Sequence, residues 1–117
     1  MKSRSAKNKG KRLQNSFRDL LLETFKQLEP DDIRSAIMGE SGEDIKLSPA
    51  ARKFIPYSFE CKNQEKLNIW DSLSQAEENA GDYDSVVIFK RNRSETYAVI
   101  TVKKFIELID ENSKSSK

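Results

Sequence analysis

The feature that most constrains this chain is an apolar, aromatic-rich run (Phe54, Ile55, Tyr57, Phe59) that ends abruptly in Glu60-Cys61-Lys62. On an extended strand successive side chains point to opposite faces, so Glu60 and Lys62 share one face while Phe59 and Cys61 share the other. Charges at the end of such a run are expected only where they are paired or functional. Upstream lies Asp44, separated from the run by a polar turn around Ser48 and Pro49. With residues 42–47 as a strand and 47–53 as the turn, the two strands pair antiparallel and Asp44 lies beside Glu60. Two carboxylates side by side repel unless a cation sits between them, and an ammonium beside that cation has an electrostatic task of its own. The arrangement reads as a metal site with a lysine, carried on a hairpin. The plainer reading is a strand that emerges into solvent at Glu60. A Glu-x-Lys triplet is cheap in a chain that is 34% charged, and Asp44-Ile45-Lys46 repeats the spacing. The apolar setting is what sets Glu60 and Lys62 apart.

Composition narrows the chemistry. A length of 117 residues suits one domain with a core that needs no staples. The single cysteine, Cys61, excludes an internal disulfide and fits a reducing compartment; it reads as a small buried apolar group. The chain has no histidine, which removes serine–histidine catalysis and disfavours a zinc site or a base-activated cysteine. Carboxylates and carbonyls remain as ligands, and these suit Mg2+ or Mn2+. The absence of a membrane-length apolar run and of a signal-peptide pattern predicts a soluble, cytoplasmic protein.

The net charge is only +2, but it is unevenly spread. Lys2, Arg4, Lys7, Lys9, Lys11 and Arg12 crowd the first twelve residues with no acid among them. Such a basic segment suggests a polyanion partner; the alternative is a solvated terminus that aids solubility.

Taken in order, residues 1–10 read as a flexible basic arm. Leu13, Phe17, Leu20, Leu21, Phe25 and Leu28 predict a helix over 11–28, ended by Pro30. Basic residues in its first turn oppose the helix dipole, and together with free amides Lys9, Lys11 and Arg12 would grip a phosphate, with Gln14 facing the same end. A strand follows over 33–38, then a loop at Gly39, Ser41 and Gly42. Asn68 caps a helix that runs to Ala80 and stops at Gly81, with Ile69, Trp70, Leu73 and Ala76 as its stripe and Trp70 in the core. Gln75 and Glu78 face outward or toward the site. Residues 85–90 and 96–101 are strands, and Val102, Phe105, Ile106 and Ile109 mark a closing amphipathic helix. Residues 111–117 read as a flexible polar tail. The order is helix, three strands, helix, two strands, helix: an α/β sandwich of three-layer character around a central mixed sheet.

Asp44, a short turn and Glu60-Cys61-Lys62 after an apolar strand resemble the PD-(D/E)XK nuclease superfamily, whose restriction-endonuclease-like core follows the same order of elements. Within it the chain resembles the Holliday junction resolvases of archaea and their phage-encoded relatives. Lys9-Gly10-Lys11 matches their basic entry into the first helix, and Arg34, Ser41 and Gly42 match their arginine and Ser-Gly loop before the acid. The likeness covers roughly residues 9–108, within a nuclease domain over 11–110. Two positions depart from the pattern: Glu43 precedes Asp44 where a proline is usual, and Gln14 stands where archaeal resolvases carry a glutamate.

The resemblance implies Mg2+-dependent hydrolysis of DNA phosphodiester bonds, with Mn2+ as a substitute. Asp44, Glu60 and the Cys61 carbonyl would hold the metal, and Lys62 would stabilise charge developing on the phosphate. Gln14 and Ser41 would contact water or phosphate, and Lys7, Lys9, Lys11, Arg12 and Arg34 would bind DNA. For Arg34 a surface ion pair is the alternative. A four-way junction with near two-fold symmetry implies a homodimer. Other readings are a nicking, restriction or repair nuclease of the same core, and a DNA-binding module that kept the fold without the chemistry.

Overall fold

The computed structural model describes the backbone over residues 2–115 and the side chains over 6–114. Helix α1 spans Lys2–Thr24, so the basic segment expected to be a flexible arm is helical from Lys2. This overturns the phosphate grip expected from free amides at residues 9–12, because those residues lie inside the helix. At its other end α1 stops before the expected Leu28. Thr24 Oγ1 donates back to the Leu20 carbonyl at 2.8 Å, and a turn then carries Leu28 N–H to the Phe25 carbonyl. Pro30 forbids the helical conformation just upstream, and the turn keeps Leu28 buried while redirecting the chain.

A short 3-10 turn, Pro30–Asp32, leads into strand β1 (Ile33–Ser35), which pairs antiparallel with β2 (Ile45–Leu47) in the register Ile33↔Leu47, Arg34↔Lys46, Ser35↔Ile45. Two cations directly opposite one another are unfavourable. Glu40 answers both: it forms a two-pronged pair with Arg34 at 3.1 and 3.0 Å and feels the Lys46 charge. The expected turn over 47–53 is instead a helix, α2 (Pro49–Phe54). Ser48 caps it by accepting from Ala51 N–H at 3.1 Å, with proline at the first helical position.

Strand β3 (Tyr57–Asn63) pairs parallel with β4 (Asp84–Lys90), which pairs antiparallel with β5 (Tyr97–Val99). The mixed sheet therefore has three strands, and β1–β2 form a separate two-stranded sheet. The expected β2–β3 hairpin ladder is absent among the described residues. A helix replaces the tight turn that would have set its register, and the two strands meet only near Asp44. Helix α3 (Ile69–Ala80) makes the crossover from β3 to β4, capped by Asn68 Oδ1 accepting from Asp71 N–H at 3.1 Å and closed by Gly81 at φ 61°.

Alternation along β3 and β4 divides the molecule into layers. Phe59, Cys61, Val86 and Ile88 pack under Leu13, Phe17 and Leu21 of α1, with the Phe17 and Phe59 rings edge-on at 4.8 Å. Ser58, Glu60 and Val87 face the other way, toward α3. That helix meets the sheet through Ser72, Ala76 and Ala80, small residues that allow close approach. Of the expected stripe Ala76 is buried as predicted, while Ser72 and Ala80 take the places expected of larger residues. Ile69 and Leu73 are half-buried, and Trp70, expected in the core, is 76% exposed. Helix α4 (Val102–Ser115) begins where its pattern predicts and continues through most of the expected polar tail. Among the described residues no helix is long and apolar enough to cross a membrane.

Candidate active site

Asp44 sits at the seam between the two sheets. Its N–H donates to the Phe59 carbonyl at 3.0 Å, and its carbonyl accepts from Ala36 N–H at 2.8 Å. Its side chain then reaches along β3, where Oδ2 accepts from Cys61 N–H at 2.7 Å. Two of these hydrogen bonds go to β3 and one to the residue just after β1, and only the Cys61 bond is made by the carboxylate, so its position depends on both sheets being formed.

Glu60, 2% exposed, lies within hydrogen-bonding reach of Asp44. Its Oε1 accepts from Asn79 Nδ2 of α3 at 2.7 Å. Burial is the largest influence on its carboxyl and pushes it up to about 7; the Asn79 hydrogen bond lowers it, Asp44 raises it and the Lys62 charge lowers it. A buried carboxyl with these neighbours holds a proton near neutrality unless positive charge replaces it. Lys62 is half-buried on the same face of β3, as period-two alternation requires. The Cys61 thiol is buried and its pKa is raised by desolvation, with further rises from Asp44 and Glu60, so it stays protonated. The N–H and C=O of a strand residue point to the same side, so the Cys61 carbonyl is aimed along the Asp44 edge.

The donor set is made of oxygens only. Among the described residues no group of three or more His, Cys, Asp or Glu comes together to hold a metal ion; Asp44, Glu60 and the Cys61 carbonyl would present two carboxylates and one main-chain oxygen. That suits Mg2+ or Mn2+, which keep several waters and need few protein ligands.

Asp44 also forms part of the wall of a cavity of about 230 Å³, with Lys7, Lys11 and Gln14 from one face of α1 and Glu40 from the loop after β1. Gln14 and two of the predicted basic residues are therefore brought to the site. Lys9 and Arg12 point to a different cavity on the other flank of the helix. Arg34 is brought elsewhere, into its pair with Glu40, whose carboxyl drops to about 2 chiefly through that hydrogen bond. Ser41 is exposed, and its carbonyl accepts from Lys46 Nζ at 2.5 Å. Gln75 and Glu78 are exposed, whereas Asn79, singled out by no sequence pattern, is the α3 residue on Glu60. Its only sequence signal is its place one turn after Ala76 on the stripe that packs on β3.

Compared with protein-family models, with curated proteins and with solved structures, the chain matches none.

Proposed function

We propose that this chain is a metal-dependent endonuclease that hydrolyses DNA phosphodiester bonds, with a four-way junction as its preferred substrate. The observation that carries the reading is the meeting of Asp44 and Glu60, two carboxyls within hydrogen-bonding reach and with Lys62 on the same strand face. Asp44, Glu60 and the Cys61 carbonyl would hold Mg2+, or Mn2+ in its place. Bound there, the ion supplies Lewis-acid charge to the phosphate and acidifies water. Lys62 stabilises negative charge as it grows on the phosphate oxygens. Gln14, beside Asp44 in the cavity wall, orients water by hydrogen bonding without adding charge. Water attacks phosphorus, one P–O ester bond breaks, and the products are a phosphate monoester and a hydroxyl. Lys7 and Lys11 hold the neighbouring backbone by charge.

A junction has two strands to cut and each chain carries one site, so the assembly is a two-fold homodimer. The apolar stripe of α4 supports a second copy as its cover: Val102, Phe105, Ile106 and Ile109 are each half exposed or more.

Incubation with four-way, forked and linear duplex DNA, with and without Mg2+, tests the reading. Lys62→Ala is expected to lower cleavage by at least 100-fold and leave DNA affinity within about twofold. Equal loss of binding and cleavage makes Lys62 an anchoring charge. Binding without cleavage by the wild-type chain favours the non-catalytic module, and cleavage of linear duplex alone favours another nuclease of this kind.

A further inference from the structure

Opposite the Asp44 cavity, across α1, lies a second cavity of about 380 Å³. Four cations from three parts of the fold line it: Lys9 and Arg12 of α1, Lys90 at the end of β4, and Arg93 in the β4–β5 turn. Ser16, Asn63, Asn92 and Thr96 add neutral polar groups to its wall, and no carboxylate lines it. None of the four cations forms an ion pair among the described residues.

The turn that brings Arg93 here is built at a cost. Arg93 has φ 62°, the only positive value among the described non-glycine residues, where glycine or asparagine would be at ease. Ser94 and Glu65 secure the turn: Arg91 N–H donates to Ser94 Oγ at 3.0 Å, and Asn92 N–H to Glu65 Oε2 at 2.6 Å. At the far wall, Asn63 Nδ2 donates to the Lys9 carbonyl at 3.4 Å and ties α1 to the end of β3. Mutual repulsion of four cations would be relieved by a bound anion. Asn63 follows Lys62 directly, so this cavity adjoins the strand that carries the proposed site.

The α1 periodicity joins the two cavities. Lys7, Lys11 and Gln14 (i, i+4, i+7) serve the Asp44 cavity, while Lys9, Arg12 and Ser16 (i, i+3, i+7) serve the second. The first half of α1 is thus a basic wedge between them. We infer that the Lys9–Arg12–Lys90–Arg93 cavity seats a backbone phosphate of DNA on the flank of α1 opposite the reacting phosphate. This rests on DNA being the partner, and it requires no catalysis.

The test is the salt dependence of four-way junction binding in EDTA, which isolates binding from cleavage. Lys90→Gln combined with Arg93→Asn removes two cations, and asparagine suits the left-handed backbone at 93, so the fold is retained. The expected result is a log Kd against log[salt] slope shallower by about one to two and a loss of about tenfold in affinity at 0.1 M salt. Arg93→Asn alone should keep or raise thermal stability while shedding part of the slope. An unchanged slope in the double variant overturns the inference and leaves the nuclease reading intact. A reduced slope in a chain that never cleaves upholds it and removes the nuclease reading. A wild-type chain that binds no DNA overturns both.

Discussion

Glu60 is a buried carboxyl whose environment differs sharply from water. A carboxyl raised to about 7 from its ordinary 4.5 binds a proton more tightly in the folded chain than in the unfolded one. The stability this contributes is full below pH 4.5 and is lost as pH rises through 7. Metal-free protein should therefore lose stability between pH 5 and pH 8. Glu60→Gln, which retains an oxygen for Asn79, should flatten that decline and be more stable than wild type at pH 8 by on the order of 2 kcal/mol. Adding Mg2+ at pH 8 should restore the wild type and leave the variant unmoved. Thermal melts of the two proteins across this range check it; parallel curves would mean that Glu60 does not titrate there. Arg34 shows the opposite outcome of residue-scale electrostatics. Its half-exposed guanidinium is taken by Glu40 and is not free for a phosphate.

Among the elements, α2 shows how a short signal can be misread. Ser48-Pro49 has the look of a turn, but a serine before a proline and two alanines is equally a helix cap. Ser48 Oγ accepts from Ala51 N–H at 3.1 Å and donates to Asp32 Oδ1 at 2.6 Å, and its N–H donates to the Asp32 carbonyl at 2.9 Å. One side chain thus binds α2 to the turn that begins β1, and its hydroxyl is the main cause of the lowered Asp32 pKa. Ser48→Ala should cost about 1–2 kcal/mol, read in urea unfolding as a lower midpoint with an unchanged m-value. A change below a few tenths would mean that water replaces the hydroxyl without loss. Helix α3 carries a related lesson. Its caps at Asn68 and Gly81 are local and were legible, but which side faces the sheet was decided by Ser72, Ala76 and Ala80. Large apolar residues advertise burial, yet close packing on a sheet can favour small ones, and Trp70 was left outside.

At the scale of the whole molecule the unanswered surface is α4. Lys104 anchors it through Asp84 at 2.8 Å and stands over the Tyr57 ring at 5.7 Å, while the apolar stripe faces away. If a second copy covers it, Phe105→Glu together with Ile106→Lys should halve the mass measured by light scattering at micromolar concentration. The same variant should keep its melting cooperative, because those side chains contribute little to the monomer core. An already monomeric wild type would remove the dimer and, with it, paired cutting of a junction by one complex.

Local order in the chain was sufficient for much of this protein. The spacing of apolar residues located α1, α3, α4 and the β3 and β4 strands, because helix and strand periods are set by neighbours a few positions apart. Alternation likewise put Glu60 and Lys62 on one face without any knowledge of the fold. Tertiary structure alone decided that Asp44 reaches Glu60 across a seam and not along a hairpin. It also set Asn79 on the carboxyl, gave Arg34 to Glu40, and gathered Lys9, Arg12, Lys90 and Arg93 around one cavity. These contacts join residues far apart in sequence, and their geometry depends on the path of the backbone between them, which no local pattern records.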